Sequence, residues 1–141
     1  MEMKSIEHLD HTADLGLKVT APTVEELFEL CANGMFTLIL SPEHYSRPKE
    51  LMDINLQAES RTDLLREWLS ELLYFHATRR MIFSKLTVTS LEGNRLEGVA
   101  EGFQLSPEQA HLATEVKAVT YHALYLRETE AGFEAQVVFD T

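Results

Sequence analysis

"DLGLKVTAPTVEELFELCANGMFTLI", residues 14–39, carries two hydrophobic periods back to back. Up to residue 20 the pattern alternates, with Leu15, Leu17 and Val19 on one face, which predicts a short strand over 14–20. From residue 24 the spacing turns helical. Val24, Leu27, Phe28, Cys31, Met35, Leu38 and Ile39 share a stripe, and the expected helix runs from 24 to about 39. Between the two lies "TVEE", a capping-box pattern: Thr23 would accept from the N–H of Glu26, and Glu26 would reach back to Thr23. Cys31 sits on the apolar stripe and reads as a buried structural thiol. As the sole cysteine it rules out a disulfide framework and a thiol metal cluster.

The strand-then-helix unit recurs. Residues 51–58 alternate, with Met52, Ile54, Leu56 and Ala58 on one face. "SRTDLLREWLSELLYFHATRR", residues 60–80, follows, with Ser60 or Thr62 as cap and Leu65, Trp68, Leu69, Leu72, Leu73 and His76 as the buried stripe. Arg79 and Arg80 suit the negative end of that helix. Residues 82–91 and 95–103 flank the turn signal "EGN", and 114–127 and 133–140 flank "ETEAG", so four further strands in two hairpins are expected. The fold class is therefore α+β: residues 1–141 as a single domain, with a mixed, mostly antiparallel sheet and two helices packed on it.

Matching apolar faces in the last hairpin sets a register. Phe133 would lie opposite Leu126, and Val137 opposite His122, which becomes a packed core histidine. Asp140 would then oppose Val119, on the face of Lys117 and Tyr121. Spacing alone allows an exposed cross-strand ion pair, worth under about 1 kcal/mol, as well as a functional pair.

Twelve Lys and Arg against 23 Asp and Glu give a net charge of −11, which disfavours stand-alone binding to a phosphate backbone. A bound cation or a protein partner is easier to accommodate. No apolar run is long enough to span a bilayer, and "MEMKSIEHLD" lacks the apolar core of an export signal, so a cytoplasmic location without membrane attachment is expected. The residues at and just before the start of the first expected strand, His8, Asp10, His11 and Asp14, are the obvious zinc candidates. They crowd one short segment without a helical i, i+4 pair or a second cluster elsewhere, which argues against zinc. There is no nucleophile-elbow sequence either.

Five motifs taken together, "DHTADLGL", "TVEELFELCANGMF", "DLLREWLSELLYFH", "ATEVKAVTYHALYL" and "EAQVVFDT", resemble the archease family in order and over essentially the whole chain. "HTAD" and "TEVKAVTYH" are the specific parts; Ala113 stands where the family pattern has a glycine. The resemblance implies a small acidic accessory protein, not an enzyme. Its partner would be an RtcB-type RNA ligase, which uses GTP and manganese to guanylylate its own histidine and joins RNA ends in tRNA splicing and RNA repair. The family member would promote guanylylation and repeated turnover, meeting tRNA or other RNA only through the ligase. By motif, the essential groups fall on Asp14, Lys117 and Asp140. A divalent cation, Ca²⁺, Mg²⁺ or Mn²⁺, would be bound by Asp14, Asp140 and the main-chain oxygen of Thr141. His11, by its place in "HTAD", reads as a hydrogen-bonding residue that orients Asp14 or caps the strand entry, not as a metal ligand. Two other readings stand beside this one. A stand-alone metal-dependent hydrolase would need more ligands and a general base than the sequence offers. A chaperone-like RNA-processing module would need a basic, aromatic stripe to bind RNA directly.

Overall fold

The computed structural model describes residues 4–10 and 14–141, with the backbone alone for Asp10 and Asp14. The chain runs β1 (Ser5–Asp10), β2 (Asp14–Ala21), α1 (Val24–Ile39), β3 (Glu50–Gln57) and α2 (Arg61–Arg79). It continues through β4 (Met81–Glu92), β5 (Arg95–Gln104), β6 (Ala118–Val119), β7 (Tyr125–Thr129) and β8 (Gly132–Asp140). The fold is α+β as expected, and every strand pairing among the described residues is antiparallel. The strands divide into two sheets. One has the order β1-β2-β8-β6, with β7 also on β8; the other has the order β3-β5-β4.

The strand-to-helix unit forms as its pattern dictates. Thr23 has extended backbone, and its hydroxyl accepts from the N–H of Glu26 at 3.2 Å. The reciprocal half of the capping box is replaced: the Glu26 carboxylate lies 3.3 Å from Lys4 Nζ. Leu17, Val19, Leu27, Phe28 and Met35 are all fully buried, so strand and helix close one apolar seam. Gly34 permits that closeness, since a Cβ there would stand 2.8 Å from Leu17 Cδ1. Cys31 is buried on the same stripe, and burial pushes its thiol up to about 12, which keeps it protonated and inert.

α1 packs on β2 and β8 of one sheet and on β4 of the other, so it joins the two layers. Glu29, on its flank, accepts from the N–H of Val88, where the β4–β5 ladder shifts register. Ser60 caps α2 by accepting from the N–H of Asp63 at 3.0 Å. Trp68, fully buried, donates from Nε1 to the carbonyl of Phe28 at 3.0 Å and fastens α2 to α1. His76 is half-buried against Phe36. Its Nδ1 donates to the carbonyl of Met81, and burial lowers its pKa, as suits a packing residue. Among the described residues no helix is long and apolar enough to cross a membrane.

Several expectations are overturned, among them the register that set Phe133 opposite Leu126 and Val137 opposite His122: Leu126 pairs with Ala135 and Phe133 with Glu128. Residues 5–10, to which the sequence reading assigns no strand, form the edge strand β1, paired with β2 from Ser5↔Thr20 to Asp10↔Leu15. The single strand over 114–127 does not form. Residues 107–112 make a 3₁₀ turn, β6 spans two residues, and β7 begins only at Tyr125. His122, exposed in the turn between β6 and β7, is not a core histidine.

The register shows why the strand breaks. Val119 opposes Phe139 and Leu126 opposes Ala135, and both partners are buried core residues. Positions 119 and 126 differ by an odd number, so an unbroken strand would send them to opposite faces. Setting residues 120–124 against Val137 and Val138 alone inserts three extra residues and restores both to the core side. The extruded turn is held locally: Thr120 Oγ1 donates to the Val138 carbonyl at 2.9 Å and accepts from the N–H of His122 at 3.2 Å. Ala123 takes φ +54, and its carbonyl accepts from Gln136 Nε2.

Candidate functional site

The sequence-derived site residues meet at the end of β8. β2 starts at Asp14, β8 stops at Asp140, and their register sets these two residues directly opposite each other. Paired positions of an antiparallel ladder hold Cα atoms about 4.5–5.5 Å apart. On the other flank of β8, Ala118 opposes Asp140, one position from the Val119 that face matching alone suggests. Lys117 comes next to it: its backbone N–H donates to the carbonyl of Asp140 at 2.7 Å. Asp14 and Lys117 therefore flank Asp140 on its two sides, and Thr141 follows as an exposed residue. His11 lies outside the described residues. His8 is exposed in β1 at the position opposite Leu17, and Asp10 closes that strand opposite Leu15.

Asp140 differs from the acidic residue at the opposite end of its own strand. Glu134 accepts from Tyr125 Oη at 2.8 Å and from Arg127 at 2.6 Å, with Lys18 Nζ 4.0 Å away. The Tyr125 hydrogen bond first, and then the guanidinium, hold its carboxyl below the usual range. Lys117 and Asp140 have exposed side chains, and among the described residues no ion pair links them, so the surface ion-pair alternative is not what the structure contains. Among the described residues there is also no group of three or more His, Cys, Asp and Glu placed to hold a metal.

One positioning residue escapes sequence reading. Arg66 of α2 donates from Nε to the carbonyl of Val119 at 3.0 Å, and its guanidinium sits 4.0 Å over the ring of Tyr121. It thereby fastens the short β6, and with it Lys117, to the helix. Nothing local marks it, because its partners lie more than fifty residues downstream. Ala113, where a glycine is expected, has φ −86, so its backbone needs no glycine.

The chain resembles known proteins over nearly its whole length. The archease protein family matches residues 6–141. Protein archease of Methanosarcina mazei is 39% identical over 141 residues, covering 97% of this chain and 96% of that one. Protein archease of Pyrococcus furiosus is 34% identical over 142 residues, covering 98% and 99%. Among solved structures, Methanobacterium thermoautotrophicum protein 1598 superposes with a TM-score of 0.79 at 31% identity, over 96% of this chain and 98% of that one. A Thermotoga maritima archease, described as a possible chaperone, shares the fold with a TM-score of 0.67 at 21% identity, over 96% of each chain. By matched length and identity alike, this chain belongs to the archease family.

Proposed function

We propose that this protein is an accessory factor, not itself an enzyme, that activates an RtcB-type RNA ligase. It promotes the ligase's GTP-dependent guanylylation and its repeated turnover in tRNA splicing and RNA repair. In this reading it works in the cytoplasm and meets RNA only through the ligase. The observation that carries the reading is the convergence of Asp14, Asp140 and Lys117, the residues singled out by motif, at one end of β8. Family membership supplies the context.

Two acidic residues at directly opposed ladder positions are a poor choice for stability, because like charges placed opposite each other repel. A bound cation would offset that cost. The donors at the strand ends, Asp14, Asp140 and the main-chain oxygen of Thr141, are all oxygen, which suits a hard ion such as Ca²⁺, Mg²⁺ or Mn²⁺ and not a thiol-seeking metal. Such an ion would supply positive charge for phosphate or carboxylate oxygens. The chain's own contribution is to fix the two aspartates by ladder pairing. Its other contribution is to hold Lys117, a compact strongly hydrated cation, beside them through the backbone bond to Asp140. The −11 charge fits a protein that leaves RNA to its partner.

The test is multiple-turnover ligation of an RNA 3′-phosphate by the ligase in GTP and Mn²⁺, with and without this protein. Wild type should raise turnover, and Asp14→Ala, Asp140→Ala and Lys117→Ala should each lose at least about tenfold (~1.4 kcal/mol). Their urea midpoints should stay near wild type. Millimolar Ca²⁺ should raise the unfolding midpoint of wild type and leave that of Asp140→Ala where it was. Full stimulation by either aspartate variant would overturn the reading.

A further inference from the structure

A trough runs beside α2 and overlaps the aspartate site only at Lys117. Its two lobes, about 280 and 420 Å³, share Ala77 and Lys117. Leu73 and Val119 line the first lobe and Val116 the second, and all three side chains belong to the apolar core. The charged lining is Arg66 and Lys117 in the first lobe, and Arg80, Lys117 and Glu115 in the second. In a chain of net charge −11, this strip is locally cationic. Among the described residues Arg80 and Lys117 enter no ion pair, and Arg66 has only Glu67, at 3.8 Å. One exposed aromatic side chain lines it, and a second stacks on Arg66 from outside the lining. Tyr74, on the rim, is 58% exposed; Tyr121, under Arg66, is 67% exposed.

We propose that this trough docks a short acidic segment of a partner protein. Carboxylates toward the two ends would meet Arg80 in the second lobe and Arg66 in the first, with Lys117 where the lobes join, and an apolar or aromatic side chain would cover Leu73 and Val119 beside Tyr74. Exposed aromatics and arginines around an apolar floor, with charge at the rim, are the composition of recognition surfaces. A peptide fits better than a nucleic acid. Three cations do not offset the net negative charge along a polyanion, and an apolar floor offers a phosphate backbone nothing. The trough shares Lys117 with the aspartate site, but the proposal does not depend on the ligase reading, and its variants leave Asp14 and Asp140 untouched.

A random dodecapeptide library displayed on phage, selected against the full-length protein, tests it. Selected peptides should carry two or more Asp or Glu flanking Leu, Phe or Tyr. By fluorescence anisotropy their affinity should fall at least tenfold in Arg80→Asn and in Tyr74→Ala. Arg80 caps α2 at φ 55, a conformation asparagine tolerates, so that variant retains the helix end. Arg95→Gln, a surface charge outside the trough, should bind as wild type. The proposal is overturned by a library without binders, by peptides lacking acidic bias, or by binding that survives both variants. Tighter binding of oligo-uridylate than of any selected peptide, lost in the same variants, would overturn it in favour of nucleic acid.

Discussion

β8 has two unlike flanks. On one, β2 pairs with it without interruption through eight positions, from Asp14↔Asp140 to Ala21↔Phe133. On the other, β6 and β7 pair with its two ends and leave residues 120–124 outside the ladder. The unbroken flank is backed by α1, and its core-facing residues Leu17 and Val19 are fully buried. The broken flank is tied to α2 by the Arg66 bond to Val119 and carries half-buried Leu124 and Leu126. One flank supplies stability, the other brings exposed groups to the surface beside Asp140. The stable flank also fixes where Asp14 stands, so the site depends on both.

Truncating one side chain on each flank tests that division. Leu17→Ala leaves a cavity under α1 and should cost about 3 kcal/mol in urea unfolding, within the range of about 2–5 for fully buried leucines. Leu126→Ala removes a partly exposed side chain and should cost roughly half as much. Equal costs would mean that the broken flank is as tightly packed as the other, and the comparison would fail.

The same contrast explains what could be read from the sequence. On the unbroken flank, apolar residues keep one parity and then one helical stripe, so β2, α1 and the Thr23 cap follow from local spacing. β1 escapes because Ser5–Asp10 has no apolar face; only its pairing to β2 makes it a strand. On the broken flank, Val119 and Leu126 demand opposite parities of one strand. That conflict is visible in the residues, but its resolution, a turn of three extra residues, depends on the partner strand. Asp14, Lys117 and Asp140 are singled out by motif alone; they are distant in sequence, and only the ladder shows that they adjoin. Arg66 was not legible, because its role lies in tertiary contacts alone.

A smaller effect probes how the extruded turn is held. Thr120→Val keeps the shape of the side chain and deletes two hydrogen bonds, to the Val138 carbonyl and from the His122 N–H. At about 0.5–1.5 kcal/mol for each, the loss should reach about 1–2 kcal/mol. Amide exchange should quicken at residues 121–124 and stay unchanged along β2 and β8. Uniform quickening across both flanks would show that the turn and the ladder open together, not separately.

The smallest effect has the opposite sign. Ala123 is held at φ +54, where a Cβ costs about 1–2 kcal/mol that glycine does not. Glycine gives back part of that gain through the freer unfolded chain, about 0.4–1 kcal/mol. Ala123→Gly should therefore stabilise the protein by about 0.5–1 kcal/mol, with the Gln136 bond to the residue 123 carbonyl retained, since it uses only backbone on that side. Leu17→Ala and Thr120→Val both weaken packing or bonding, so only this substitution separates strain from contact. A rise in the urea midpoint assigns the turn's conformation to its anchors, Thr120, Gln136 and Arg66, acting against the preference of the residue they constrain. A fall would mean that the alanine methyl itself stabilises the turn, and the broken flank would then owe its shape to packing, like the flank across from it.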